Sequence, residues 1–125
     1  HIRKGNTMIE QIVLEYLTEH IDVPVFMELP EVPSEDYPTM PERFILLEKV
    51  GGGLNDHIDS GSIAVQSYSL NSLYEAASLD EEMRNVMFGM VALNSISEIR
   101  LASNYNHTDV RTKRYRYQSV FEIHF

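Results

Sequence analysis

The stretch EKVGGGLNDHIDSGS, residues 48–62, combines three glycines with side chains that can take part in chemistry. Consecutive glycines such as Gly51, Gly52 and Gly53 are found in loops that bind phosphate groups. A P-loop also needs a Lys followed by Ser or Thr and a helix that begins at the loop, and the sequence provides neither feature. The glycines therefore favour a flexible connection between two strands, where glycine adopts backbone angles that other residues avoid.

The polar residues after these glycines raise the question of a metal site. Asn55, Asp56, His57 and Asp59 offer an imidazole ring, an amide and two carboxylates within five positions. Zinc and iron sites draw on several histidines or on cysteines, and the chain has no cysteine and only one histidine here. We expect these side chains to be solvated loop residues.

Two further groups of residues are weaker candidates for a catalytic or metal-binding site. Ser60 and Ser62 lie close to His57 in sequence, which suggests a nucleophile with its base, but nothing around them matches a nucleophile elbow. His107 with Asp109 is a metal-binding pair as weak as the one in the glycine stretch. The sequence thus predicts no enzymatic activity, no metal and no cofactor.

A basic cluster near the end of the chain is the exception to an acidic sequence. The chain carries 10 Lys and Arg against 19 Asp and Glu, which gives a net charge of −9 and opposes binding to nucleic-acid phosphates. Arg111, Lys113, Arg114 and Arg116 nevertheless lie close together. This cluster favours either ion pairs across strands with glutamates such as Glu98, or docking onto an acidic neighbour such as another copy of the chain.

Length and composition predict a single domain over residues 8–125. A chain of 125 residues can bury a core of its own without disulfides or metals, and no apolar run reaches the roughly 18 to 20 residues of a membrane-spanning helix. We expect residues 1–7, which precede an abrupt amphipathic pattern, to be a remnant of cloning outside the fold.

Two amphipathic helices are predicted to help position the candidate site residues. Apolar side chains recur at helical spacing over residues 9–20, and Pro24 follows the end of this pattern. Ser72 and Glu75 have the spacing of a capping box, in which each side chain binds the backbone amide of the other residue. The second helix is therefore predicted over residues 72–90.

Five strands are predicted in addition to these helices. The segment 29–42, which contains four prolines, is predicted to be an extended, exposed, acidic loop. In the last two strands, alternation places Ile99, Leu101 and Tyr105 on one face and indicates a closing hairpin. The predicted strands are residues 25–28, 43–50, 62–69, 97–106 and 114–125. The order α-β-β-β-α-β-β predicts an α+β fold, with a mostly antiparallel sheet and two helices packed on one face.

Several segments resemble those of small tail proteins of siphophages and prophages. The similarity extends over residues 8–125 and is most specific in the strand-to-helix junction and in the tyrosine-rich last strand. The segments that carry it are MIEQIVLEYL, VPVFMELP, RFILLEKVGGG, IAVQSYSLNSLYEAASL and SNYNHTDVRTKRYRYQSVFEI. The chain is similar to the tail-terminator, or tail-completion, group that includes the terminator of phage lambda.

This resemblance implies a structural role without catalysis. Such a subunit assembles as a hexameric ring on the tail tube, ends tube polymerisation and offers a surface to the head-tail connector, in the host cytoplasm and then in the virion tail. It implies subunit or tube contacts in Gly51 to Ser60 and Asn106 to Lys113. The residues expected at these contacts, with those of the basic cluster, are Gly51, Gly52, Gly53, Asn55, Asp56, His57, His107, Arg111, Lys113, Arg114 and Arg116.

The acidic balance of the chain is compatible with such a ring, because an acidic channel repels the phosphates of DNA that passes through it without specific binding. Two other functions remain open at this point. A head-completion or connector adaptor has a similar size and also forms rings. A small ligand-binding domain is the third alternative, although no cluster of polar residues predicts its pocket.

Overall fold

The computed structural model describes residues 9–51, 60–109, 111 and 114–125. This part of the chain has the order α-β-β-β-α-β-β, and the α+β class and the five-stranded sheet are confirmed. The elements are α1 (Ile9–His20), β1 (Val25–Phe26), β2 (Arg43–Gly51), β3 (Ser60–Ser69), α2 (Leu73–Gly89), a short 3-10 helix (Met90–Ala92), β4 (Glu98–Asn106) and β5 (Tyr115–His124).

The sheet is mixed, with the strand order β1-β2-β3-β5-β4. The pairs β2–β3, β3–β5 and β5–β4 are antiparallel, whereas β1 runs parallel to β2, with Val25 opposite Ile45. A parallel neighbour needs a long crossover, which the proline-rich segment 29–42 provides. β1 ends at Phe26 and is shorter than the predicted strand over residues 25–28.

Helix α1 agrees with the predicted range and buries one side of its surface. Val13 and Leu17, one turn apart, are fully buried. The Ile21 amide donates to the carbonyl of Leu17 at 2.9 Å, which closes the last turn. Helix α2 approaches α1 at Gly89, where an added Cβ would lie 3.1 Å from the hydroxyl of Tyr16.

The start of α2 confirms one half of the predicted capping box and corrects the other. The Glu75 amide donates to Oγ of Ser72 at 3.1 Å, as predicted. The Ser72 amide instead donates to Oγ of Ser69 at 3.3 Å, and that hydroxyl donates to Glu75 Oε1 at 2.8 Å. The serine at the end of β3 therefore lies between the two capping partners and bonds to both.

Alternation along the strands gives the sheet two chemically different faces. The core face contributes apolar side chains to a buried cluster that also contains residues of α1 and α2. Its sheet members are Ile45, Leu47, Ile63, Val65, Phe121 and Ile123. The second face carries the alternate residues of the same strands, which include Phe44, Gln66, Tyr68, Arg116 and Gln118.

A β-bulge in β4 interrupts the predicted alternation. Leu101 lies opposite Phe121 and Ser103 lies opposite Val120, so Ala102 is an extra residue. Beyond the bulge the faces of β4 are exchanged relative to a regular strand.

The bulge makes one prediction wrong. Tyr105 was expected on the same face as Ile99 and Leu101, but it pairs with Gln118 on the second face. Asn104 instead lies on the core face, opposite Ser119. Periodicity alone does not reveal where an extra residue is inserted, because the pairing with β5 decides it.

The glycine stretch connects β2 and β3, which are antiparallel neighbours as predicted. Gly51 is the last residue of β2 and lies opposite Ser62. Gly52, Gly53, Asn55, Asp56 and His57 lie outside the described residues, as does Lys113. The expectations for these six residues remain predictions.

Candidate assembly surface

The turn between β4 and β5 brings together several residues of the predicted interface. The ladder continues beyond both strands, since the His107 amide donates to the Arg116 carbonyl at 2.8 Å and the Asp109 amide donates to the Arg114 carbonyl at 3.3 Å. The Arg111 amide donates to Oδ1 of Asp109 at 3.0 Å. The turn therefore holds Arg111, which is exposed, and Arg114, which is half-buried, at one end of the sheet.

The side chain of Asn106 orders the entrance to this turn. Its Oδ1 accepts hydrogen bonds from the amide of Thr108 at 3.0 Å and from the hydroxyl of Thr108 at 2.6 Å. This is the local turn chemistry that asparagine favours. On the second face, the ring of His107 makes an edge contact with Tyr105 at a centroid distance of 5.4 Å.

Arg116 is engaged within its own chain. Its Nε donates to the carbonyl of His107 at 2.6 Å and its NH1 donates to the hydroxyl of Tyr68 at 2.6 Å. The guanidinium carbon also lies 5.5 Å from the centre of the Tyr68 ring, within the range of a cation–π interaction. These contacts tie the turn to β3, and among the described cations of the turn Arg111 is exposed whereas Arg114 and Arg116 are half-buried.

Among the described residues of the basic cluster, Arg111, Arg114 and Arg116 form no ion pair with Glu98. Glu98 lies opposite His124, at the far end of the β4–β5 hairpin from Arg114 and Arg116. The cation that does pair with a glutamate across these strands is Arg100, which donates to Glu122. This contact raises the pKa of Arg100 through the hydrogen bond to Glu122 and the attraction between the two charges.

A chain of side-chain hydrogen bonds crosses the second face from the turn to the edge of the sheet. From Arg116 it passes to the Tyr68 hydroxyl, which donates to Oε1 of Gln66 at 2.9 Å. Gln66 donates to Oε1 of Gln118 at 2.7 Å, and Gln118 donates to the hydroxyl of Tyr105 at 2.6 Å. This polar ladder joins β3, β5 and β4, and it was not anticipated from the sequence.

The proline-rich segment folds toward the same face through aromatic contacts. Phe44 stacks on Tyr68 at a centroid distance of 4.5 Å, and Phe26 contacts Phe44 at 5.9 Å. Phe26 also makes an edge contact with Tyr37 of the segment at 5.4 Å. Within the segment, the Ser34 amide donates to the Tyr37 carbonyl at 2.9 Å. The segment is therefore attached to the sheet by its tyrosine.

The acidic proline-rich segment leads into β2 at the same end of the sheet as the turn between β4 and β5. Arg43, Ser69 and Tyr115 lie side by side in register at this end, so the segment adjoins β2 while the turn adjoins β5 and β4. From β2 to β4 there are three strand spacings, about 14 Å. The exposed acids of the segment are Glu31, Glu35, Asp36 and Glu42, of which Glu42 directly precedes β2.

A buried carboxylate links α2 to the closing hairpin on the core face. Asp80, which is 1% exposed, accepts hydrogen bonds from Arg84 Nε, Asn104 Nδ2 and Ser119 Oγ, each at 2.9 Å. Asn104 also donates to Oγ of Ser119 at 2.7 Å. The three donors come from α2, β4 and β5, so this carboxylate ties the helix to both strands of the hairpin. This arrangement therefore holds the structure together.

No metal-binding cluster of three His, Asp or Glu side chains exists among the described residues. In the same part of the chain, no helix is long and apolar enough to cross a membrane. A small polar concavity at the other end of the sheet is lined by Ser60, Gly61, Ser62, Glu122 and His124. It borders the connection between β2 and β3.

No protein family model matches the sequence, and no curated protein matches it with significant similarity.

Proposed function

We propose that this chain is a structural phage or prophage tail protein that assembles with copies of itself into a ring. In this proposal the ring is a hexamer that caps the tail tube, ends its polymerisation and provides the surface for head attachment. Residues of both helices share a buried apolar cluster with the core face of the sheet, and the proposal assigns the contacts with neighbours to the loops at the ends of the strands. The observation that carries the proposal is that the acidic proline-rich segment enters β2 at the same end of the sheet where the basic turn joins β4 and β5.

This arrangement favours contacts between unlike surfaces of successive copies. The basic turn, with Arg111 and Arg114, joins β4 and β5, and the proline-rich segment, which carries exposed acids, leads into β2 at the same end of the sheet. A contact between two different patches of the same subunit is heterologous and generates a ring when the rotation closes. Complementary patches also overcome the mutual repulsion of chains that each carry a net charge of −9.

The two patches are held on ordered structure, as an assembly contact requires. The turn is tied to β3 through Arg116 and Tyr68, and the acidic segment is tied to the sheet through Tyr37 and Phe26. In addition, the amide of Leu70 donates to the carbonyl of Glu42 at 2.9 Å, next to the start of β2. Patches that are ordered before binding lose less conformational entropy when a neighbour docks.

The remaining partners in this proposal follow from the position of the ring. One side contacts the tail-tube protein and the other side contacts the head-tail connector protein, in the host cytoplasm during assembly and in the virion tail afterwards. DNA passes through the ring, and the acidic balance of the chain opposes adhesion to its phosphates. No step of this function needs a cofactor or catalysis.

Charge reversal of the basic turn tests the proposal. We expect wild-type protein to form rings of six on isolated tail tubes, in negative-stain images. The double substitution Arg111→Glu and Arg114→Glu should weaken assembly on the order of tenfold or more, because acids then face acids. The added substitutions Glu31→Lys and Glu35→Lys should restore it.

The control is a double substitution with the same change in charge elsewhere, Lys49→Glu with Arg100→Glu. Both residues are exposed and lie away from the turn, so rings should be retained. If rings persist unchanged after charge reversal at Arg111 and Arg114, the proposed charge contact between neighbouring copies is wrong. A wild-type chain that stays monomeric even on tail tubes would contradict the ring itself.

A further inference from the structure

The edge of the sheet at β4 offers a backbone surface that the ring proposal does not use. β4 is the last strand in the order β1-β2-β3-β5-β4, and its residues from Ala102 to Asn106 are exposed. The opposite edge, β1, consists of only two residues. An edge strand carries unpaired amide and carbonyl groups that can pair with a further strand.

The hydrogen bonds at the turn show which residues of β4 point outward. The His107 amide donates to Arg116, so these two residues form a hydrogen-bonded pair. Hydrogen-bonded and non-hydrogen-bonded pairs alternate in an antiparallel ladder, so Tyr105 bonds to β5 whereas the backbone groups of Asn104 and Asn106 point away from it. The free edge therefore presents its donors and acceptors on both sides of Tyr105.

This pattern is complementary to itself. We propose that two copies of the chain pair antiparallel through the segment Ser103–Asn106, with a two-fold axis at Tyr105. The backbone groups of Asn104 in each copy form hydrogen bonds with those of Asn106 in the other copy. Tyr105 then lies opposite its own equivalent in a non-hydrogen-bonded pair, the arrangement in which side chains approach most closely.

The side chains of the segment suit a second copy of an acidic chain. Ser103, Asn104, Tyr105 and Asn106 carry no charge, so the two strands meet without the repulsion that a net charge of −9 causes elsewhere. The side chain of Tyr105 is already oriented by Gln118, and the residue is 42% exposed, which leaves ring surface to be covered.

Charges beyond the segment also favour the antiparallel arrangement. The carboxylate of Glu98, whose side chain is 63% exposed, lies toward the turn of the second copy, which carries the exposed Arg111. The two-fold axis repeats this contact, so a glutamate of one copy lies near an arginine of the other at both ends of the paired strands. In this pair Arg111 faces Glu98 of the second copy, so Arg111 is not available for the contact proposed for the ring. The pair is therefore the state of the free subunit before the ring assembles.

Single cysteines test this register directly, because the chain has none of its own. Under mild oxidation, purified Tyr105→Cys protein should form a disulfide-linked dimer rapidly, since residue 105 lies opposite itself. Ser103→Cys is the matched control. Its two thiols would lie four residues apart along the strands, about 13 Å, too far for a disulfide.

A second variant keeps the tyrosine, in case its loss disturbs the fold. In the proposed register residue 103 lies opposite residue 107, so the double variant Ser103→Cys with His107→Cys should also be cross-linked between chains. Light scattering of the uncross-linked wild-type chain should show a species of twice the 14.4 kDa chain mass that dissociates on dilution.

The expected result is rapid cross-linking of Tyr105→Cys and of the double variant, with little cross-linking of Ser103→Cys. Equal cross-linking of all three variants, or none in any of them, would overturn the proposed pair. Cross-linking that occurs only after tail-tube protein is added would also overturn it, because the two copies would then not pair as free subunits. The ring proposal stands or falls separately, on the charge reversals.

Discussion

The two faces of the sheet are built from the same strands but are held by different interactions. On the core face, fully buried apolar side chains such as Phe121 and Ile123 pack into the cluster that contains residues of both helices. On the second face, the polar ladder from Arg116 to Tyr105 and the stack of Phe44 on Tyr68 replace a second hydrophobic layer.

This difference shows how one small domain combines stability with a usable surface. Apolar packing is non-directional and gains free energy in proportion to the area removed from water. The ladder contributes less net free energy for each bond, but it fixes the positions of side chains that lie between β3 and the exposed edge. The core face therefore supplies most of the stability, and the second face supplies the geometry of the turn.

The largest expected effect of a single substitution is on the core face. Phe121→Ala should lower the free energy of unfolding by about 3 to 5 kcal/mol, because it leaves a cavity where a fully buried ring packed. Val120→Ala, at the half-buried neighbouring position on the second face, should cost under about 1.5 kcal/mol. Urea denaturation measures both values. Equal losses would remove the distinction between the faces.

Loss of the buried carboxylate comes next. Asp80→Ala should cost roughly 3 kcal/mol, because Arg84, Asn104 and Ser119 then lose their shared acceptor in a buried site. In a double-mutant cycle with Ser119→Ala, the two losses should not add, since both substitutions break the same contact. Additive losses would show that the two residues act independently of each other.

A smaller effect is expected from the ladder. Tyr68→Phe removes the hydroxyl that donates to Gln66 and accepts from Arg116 but keeps the ring on Phe44, so the cost should be about 1 to 2 kcal/mol. Amide hydrogen exchange should also become faster in the turn around His107. Unchanged exchange there would show that Arg116 holds the turn without the help of Tyr68.

The smallest effect is expected at the exposed pair of Arg100 and Glu122. Glu122→Gln should leave the unfolding midpoint unchanged within error, because water and salt screen exposed ion pairs. The pKa of Arg100 is raised in the folded chain, so its contribution to stability is fully present below its unfolded pKa. That contribution is lost only as the pH rises through the still higher folded pKa. A pH dependence of the pair near neutrality would contradict this.

The sequence by itself determined the elements that depend on neighbours along the chain. Helix α1 agrees with the predicted residues 9–20, and α2 lies within the predicted 72–90, because apolar spacing and a capping serine act over a few residues. The β2–β3 and β4–β5 hairpins were likewise expected from strand alternation on either side of turn residues.

Only the tertiary structure decided the features that depend on pairing between distant segments. The parallel β1, the bulge at Ala102, the Gln66–Gln118 contact and the internal role of Arg116 each join residues far apart in sequence. A one-residue shift in the pairing of β4 with β5 moves a side chain to the opposite face of the sheet. The bulge thus placed Tyr105 at the end of the polar ladder and Asn104 on Asp80, which local periodicity does not encode.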